Sequence, residues 1–151
     1  MDAQRNNAYQ RALKAFNEGA NCSEALWQAF CQELDEDQQR LGNCLAGGFG
    51  GGACAKDLCG AIAGGIIVLG LYYGRTPGEP RNPKLKELCY RFYHLAREEL
   101  GSVYCRDLRD PEDENYREKC SIIVAKMAEL IERLLQEDNC LGTNGNGDCG
   151  G

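Results

Sequence analysis

The sequence predicts an all-α single domain, a helical bundle of about five to six helices around a glycine-rich central helix. Apolar residues recur at three- and four-residue spacing along most of the chain. Helix-start signals recur as well: Asn21 with Glu24, Asp35-Glu36-Asp37, and Asn82-Pro83. No strand-like alternation and no internal repeat break the pattern. A length of 151 residues suits one domain, and 43% hydrophobic residues are enough for a core that stands without staples.

The elements follow in order. Residues 2–18 carry Ala8, Ala12 and Phe16 on one stripe, and Gly19 ends that helix. Asn21 is placed as an N-cap with Glu24 completing a capping box. The second helix then runs to about Leu34. Asp35-Glu36-Asp37 opens a third helix, which fails in the run Gly47 to Gly52. A fourth, capped by Asp57, spans Leu58 to Tyr73; it is apolar all round and therefore central and buried. Asn82-Pro83 starts the fifth, which stops at Gly101. Residues 101–110 form a loop containing Cys105, and Asp110-Pro111 opens the last helix. Residues 1–139 thus make the cysteine-rich helical domain, with 140–151 as a Gly/Asn-rich mobile tail.

Charge and composition exclude several classes. A formal net charge of −6 argues against nucleic acid and against an anionic membrane surface. His94 is the one histidine, so no Ser-His-Asp triad and no two-histidine metal site can be written. The N-terminus has no apolar signal region. The uncharged run Leu58 to Gly74 is short of the roughly 20 residues of a membrane span. The expected compartment is the cytoplasm. There, ten cysteines point to metal, cluster or redox work rather than to structural disulfides.

Eleven of the 19 glycines lie between Gly42 and Gly74. Gly60 and Gly64 are four apart in the fourth helix, as are Ala61 and Gly65. Each helix-interior glycine costs about 1 kcal/mol relative to alanine, so close packing or room for a cofactor must offset it. Gly60 and Gly64 would also suit a helix-packed homodimer. Gly48 to Ala53 matches GxGxxA superficially, but no strand precedes it and no βαβ unit follows, so a dinucleotide loop is rejected. Gly50, Gly51 and Gly52 instead read as a flexible or anion-cradling loop.

The cysteines fall into groups. Cys22 and Cys59 sit at helix starts, where the helix field favours thiolate. Cys105 lies in a loop. Cys31, Cys89 and Cys120 have apolar neighbours, and Cys31 and Cys89 read as core. Cys44 and Cys54 flank the glycine run, with Cys59 close behind Cys54. Cys140 and Cys149 are in the tail, as exposed or accessory metal-binding residues. There is no CxxC and no CxxCH, so no thioredoxin motif, zinc ribbon or c-type haem site is written. Any site must be assembled by the fold from dispersed ligands.

The segment Cys59-Gly60-Ala61-Ile62-Ala63-Gly64 is a CGAxxG element. It follows the glycine run and precedes Leu69-Gly70-Leu71-Tyr72-Tyr73-Gly74. Asn21-Cys22-Ser23-Glu24-Ala25 lies upstream, and Cys105 and Cys120 lie downstream. Over about residues 10–135 this arrangement resembles the C-GCAxxG-C-C family of bacterial and archaeal proteins, whose name records a suspicion of redox activity. Where the family name writes Gly-Cys-Ala, this chain has Cys-Gly-Ala. The resemblance implies Cys22, Cys59, Cys105 and Cys120 as the set, with Cys54 or Cys44 as substitutes. A similar module in split-Soret cytochromes c accompanies haem and is thought to hold an iron–sulfur cluster; the haem does not carry over.

Three readings follow. The first is an iron–sulfur protein in electron transfer with a redox partner protein, its cluster held by the four cysteines beside Gly50, Gly51, Gly52, Gly60 and Gly64. The second is a thiol–disulfide protein or sensor, with Cys59 attacking and Cys22, Cys54 or Cys105 resolving. The third is a binding module with a structural zinc on four cysteines.

Overall fold

Local capping chemistry sets most helix boundaries. The structure, a computed structural model, describes residues 7–110 and 112–138. The expectations for residues 1–6 and for the tail 140–151, Cys140 and Cys149 included, lie outside them. In chain order the helices are α1 (Ala8–Asn17), α2 (Cys22–Phe30), α3 (Glu36–Ala46), α4 (Gly60–Tyr73), α5 (Pro83–Leu100), α6 (Cys105–Leu108) and α7 (Tyr116–Glu137). The protein is all-α, as expected, and α6 is the helix that the sequence pattern did not suggest.

The Asn21–Glu24 capping box forms in both directions at 2.9 Å. Asp35 and Gln38 make a second one at α3. Asn82 accepts from the Lys84 amide, with Pro83 in the first turn of α5. Helix α2 ends at Phe30, short of the expected Leu34. There the Leu34 amide turns back to the Cys31 carbonyl, and the Gln39 side chain takes the Leu34 carbonyl at 2.8 Å. Helix α7 begins at Tyr116 instead of at Pro111. The Asp110 and Asp113 carboxylates capture the Glu112 and Asn115 amides, and such local turns compete with helix initiation.

Helix α4 is the centre of the bundle and packs on α2, α5 and α7, while α1 lies across α2 and α7. Its first half is wholly buried, from Gly60 to Gly65. The two glycine spacings face two partners. A Cβ on Gly64 would stand 2.8 Å from Leu26 Cβ and 2.9 Å from Ser23 Cα, so α2 lies directly against this backbone. A Cβ on Gly65 would stand 2.6 Å from the Phe92 ring of α5. The Gly60–Gly64 face is therefore filled by α2 of the same chain, not left for a homodimer as the sequence reading allowed. Phe92, Leu26, Ile62, Leu69, Met127 and Ile131 fill the core around it.

Helix α3 docks through a smaller cluster of Trp27, Cys31 and Ala46. The Trp27 ring lies over Gly42, and its Nε1 donates to the Gln39 carbonyl at 2.8 Å. The buried Ser23 hydroxyl donates to Ala46 O at 2.5 Å, and Asn21 Nδ2 donates to Gly47 O at 3.0 Å. These bonds stitch the end of α3 to the start of α2. Among the described residues no helix is long and apolar enough to cross a membrane.

Gly64 and Gly70 give opposite expectations for one substitution. Gly64→Ala should destabilise by about 1–3 kcal/mol, since the added methyl meets backbone. Gly70 has open space around it, so Gly70→Ala should stabilise by about 0.5–1 kcal/mol through helix propensity. Chemical denaturation of both variants checks the pair. Equal effects would mean that the glycines of α4 are not packing residues.

Candidate functional site

Three of the four cysteines that the resemblance singles out stand at helix starts. Cys22 is the first residue of α2, under the capping box. Cys59 is itself the N-cap of α4, so Asp57 is not the cap that the sequence suggested. Cys105 is the first residue of α6 rather than a loop residue. The Asp107 and Leu108 amides return to the Tyr104 carbonyl and close that short turn. Cys120 lies one turn into α7.

Cys59 and Cys105 are held side by side by main chain. The Cys59 amide donates to Val103 O at 2.7 Å, and the Cys105 amide donates to Asp57 O at 2.6 Å. An antiparallel bridge between Leu58 and Tyr104 lies between them. The chain reaches this bridge through an unusual segment. Gly51, Gly52, Ala53 and Cys54 all have φ between 56° and 67°, a short left-handed turn. Left-handed geometry costs about 1–2 kcal/mol at each non-glycine residue, and such strain tends to be stored at functional sites. The sequence reading of a flexible or anion-cradling loop did not include this left-handed turn. At Gly52 the positive φ combines with close approach. A Cβ there would stand 2.5 Å from Asp57 N and 2.7 Å from Cys105 Cβ.

The glycines expected at the site divide accordingly. Gly52 clears room at Cys105. Gly60 does so at Cys22, whose Cβ would be 3.0 Å from an added methyl. Gly50 lies under the Asn21 side chain, Gly64 serves α4–α2 packing, and Gly51 faces open space.

The four thiols feel one another. Cys22 senses the charges of Cys59, Cys120 and Cys105. Cys59 senses Cys105 and Cys120, and Cys105 senses Cys120. A thiol-to-thiol hydrogen bond is the leading influence on the ionisation of both Cys22 and Cys120. That bond, then burial, then the other three sulfurs push Cys22 up. The same bond, received from the Cys22 thiol, brings Cys120 down to about 7, with help from Arg109 and Arg117 against burial. Burial raises Cys59. The Ala61 and Ile62 amides face its sulfur and pull the other way, although no full side-chain cap bond forms. Burial and Cys120 raise Cys105, opposed by Arg109 and Lys56. The thiolates expected at the helix starts of Cys22 and Cys59 are therefore opposed, at Cys22 by the Cys120 bond and then burial, and at Cys59 by burial.

The remaining described cysteines lie elsewhere. Cys54 is exposed, its sulfur 3.6 Å from Gly48 O. Cys44 is also exposed. Cys31 is buried with Trp27, and Cys89 packs at the edge of the main core. Among the described residues no three His, Cys, Asp or Glu side chains are gathered closely enough to hold a single metal ion.

Two site residues escaped the sequence reading. The Arg109 guanidinium stacks 3.8 Å from the Tyr116 ring centroid, and its buried Nε has no hydrogen-bond partner among the described residues. Arg117 lies 4.5 Å over the Phe16 ring and donates to Phe16 O. In sequence, both look like ordinary surface cations. The donor set nevertheless suits an iron–sulfur cluster. It is thiol only, two glycines clear space where a Cβ would fill it, and a buried N–H stands without an acceptor.

The Cys22–Cys120 bond has a measurable consequence. In the reduced, metal-free protein, iodoacetamide should modify Cys120 with a pH midpoint near 7. In Cys22→Ala the thiol loses its hydrogen bond, so the midpoint should rise toward the ordinary value of about 8.5. Peptide mapping by mass spectrometry separates Cys120 from the exposed Cys44 and Cys54. An unmoved midpoint would mean that Cys22 does not govern Cys120.

An uncharacterized protein of Archaeoglobus fulgidus is 30% identical over 145 residues, covering 86% of this chain and 94% of its own length. No solved structure matches the chain. A family described as "Putative redox-active protein (C_GCAxxG_C_C)" matches residues 20–134. That span takes in the capping box at Cys22, the glycine frame around Cys59 and the helix that carries Cys120, and the chain belongs to the C_GCAxxG_C_C family of redox-active proteins.

Proposed function

We propose that the protein carries electrons on an iron–sulfur cluster held by Cys22, Cys59, Cys105 and Cys120, and exchanges them with a partner protein in the reducing cytoplasm. The observation that carries this reading is geometric: Cys22 lies against Gly60 beside Cys59, and the Leu58–Tyr104 bridge sets Cys59 beside Cys105, with Cys120 in range of their charge. Bound there, the cluster would supply a one-electron couple. The protein's part is to present four sulfurs, to keep two of them buried, and to set cations beside them. Gly52 and Gly60 leave the space that side chains would otherwise take.

A second reading has its own support. A Cys22 thiol donating to a Cys120 drawn down to about 7 would be the ground state of a dithiol couple. Oxidation would join the two sulfurs and release two protons and two electrons to a disulfide-class oxidant. In this reading Cys120 takes the attacking role that the sequence gave to Cys59. Nothing in the structure favours the structural zinc, which needs its sulfurs at about 2.3 Å from one ion.

Anaerobic purification with iron, sulfide and zinc analysis decides between them. The expected result is a coloured protein with iron and acid-labile sulfide. Cys59→Ala should lose both, whereas Cys31→Ala and Cys89→Ala keep them and lose only about 1 kcal/mol of stability. A wild type that stays colourless after anaerobic reconstitution overturns the cluster reading. A mass loss of two hydrogens on oxidation, absent in Cys22→Ala, would then support the dithiol.

A further inference from the structure

Arg109 is a cation beside the cysteine centre that has no carboxylate to pair with among the described residues. Arg11 lies 3.7 Å from Glu132, Arg91 2.8 Å from Glu137 and Arg106 3.3 Å from Asp57. Arg109 has no carboxylate partner among the described residues, in a protein of net charge −6. It is nevertheless fixed at both ends. Its amide donates to Cys105 O at 2.8 Å, which ties it to α6. Its guanidinium is stacked at 3.8 Å on Tyr116, at the start of α7. Between these anchors its Nε is buried without an acceptor among the described residues. Buried donors are ordinarily paired, so an orphan beside a ligand-poor site implies an acceptor that arrives with the ligand.

We propose that Arg109 is the positioning cation of the cysteine centre, its Nε–H held to donate to sulfur that gains negative charge on reduction. The assignment rests on the redox reading above. The two anchors of Arg109 are the first residues of the helices that carry Cys105 and Cys120, so the side chain spans the gap between those two ligands' helices. Reduction adds one electron to the bound cluster, supplied by dithionite in a titration, and makes the sulfur surface more negative by one unit. A fixed cation stabilises that state over the oxidised one, so it raises the reduction potential. A residue that merely braced α6 against α7 would alter stability and leave the potential in place.

The test is a dithionite titration of the anaerobically purified wild type, Arg109→Met and Arg109→Lys. Arg109→Met keeps an apolar stem but loses charge and donor, and should reduce about tenfold less readily, about 59 mV for one electron. Arg109→Lys keeps the charge without the planar fork and should fall between. Iron and sulfide content should stay at the wild-type level. A midpoint in Arg109→Met equal to or above the wild type overturns the assignment. If that variant does not fold or load, a wild-type midpoint in Arg109→Lys overturns it. A wild type without iron is the separate failure of the cluster reading. The same variants are then equilibrated with glutathione buffers. A disulfide harder to reduce in Arg109→Met supports the assignment, and an unchanged one overturns it.

Discussion

The absence of side chains at Gly60 and Gly64 is the constraint on which the rest of the structure depends. It lets the backbone of α4 lie against Ser23 and Leu26 of α2. With that approach, the N-terminal ends of the two helices come together, and so do Cys22 and Cys59. The buried Ser23 hydroxyl then reaches Ala46, and Asn21 reaches Gly47, so α3 and the glycine run are anchored to the same corner. A methyl group at Gly60 would meet both the Phe49 carbonyl and Cys22. Packing and site are therefore one feature, and the cost of helix-interior glycine is offset by contact that a larger residue would forbid.

The second pair of sulfurs is brought in by main-chain hydrogen bonds. Residues 57–59 and 103–105 pair through a single bridge, and the left-handed turn from Gly51 to Cys54 delivers the chain to it. Two of those four residues, Ala53 and Cys54, adopt the geometry without being glycine. The surrounding bonds must over-determine them. The Asp57 amide closing on Gly52 O at 2.9 Å is one such bond.

Electrostatics at the corner follow from burial and neighbours rather than from helix position. Three thiols are pushed up, and Cys120 alone is drawn down, because it receives a hydrogen bond from Cys22 and has Arg109 and Arg117 close by. Both redox readings use this asymmetry. A cluster would meet cations at one side of its ligand set, and a dithiol would have one sulfur ready to ionise first.

Much of the architecture was legible in the sequence, because it is written in local chemistry. Asn21 with Glu24, Asp35 with Gln38, and Asn82-Pro83 mark helix starts through bonds that span three residues or fewer. The all-apolar stretch that became α4 could only be central. The four cysteines were picked out by order and family resemblance, and their juxtaposition was the fold's decision. It depends on packing between the segments that carry residues 22, 59, 105 and 120, far apart in the chain, which no spacing rule records. The start of α7, the short α6 and the left-handed turn were settled by Asx turns, a one-bridge pairing and the Cys105 approach. The roles of Arg109 and Arg117 were invisible for the same reason: an arginine's function depends on what its guanidinium meets, and only the tertiary structure sets Tyr116, Phe16 and the sulfurs around them. Local bonds determined where the helices are, and long-range packing decided which sulfurs share a field, because fields and close approach act through space rather than along the chain.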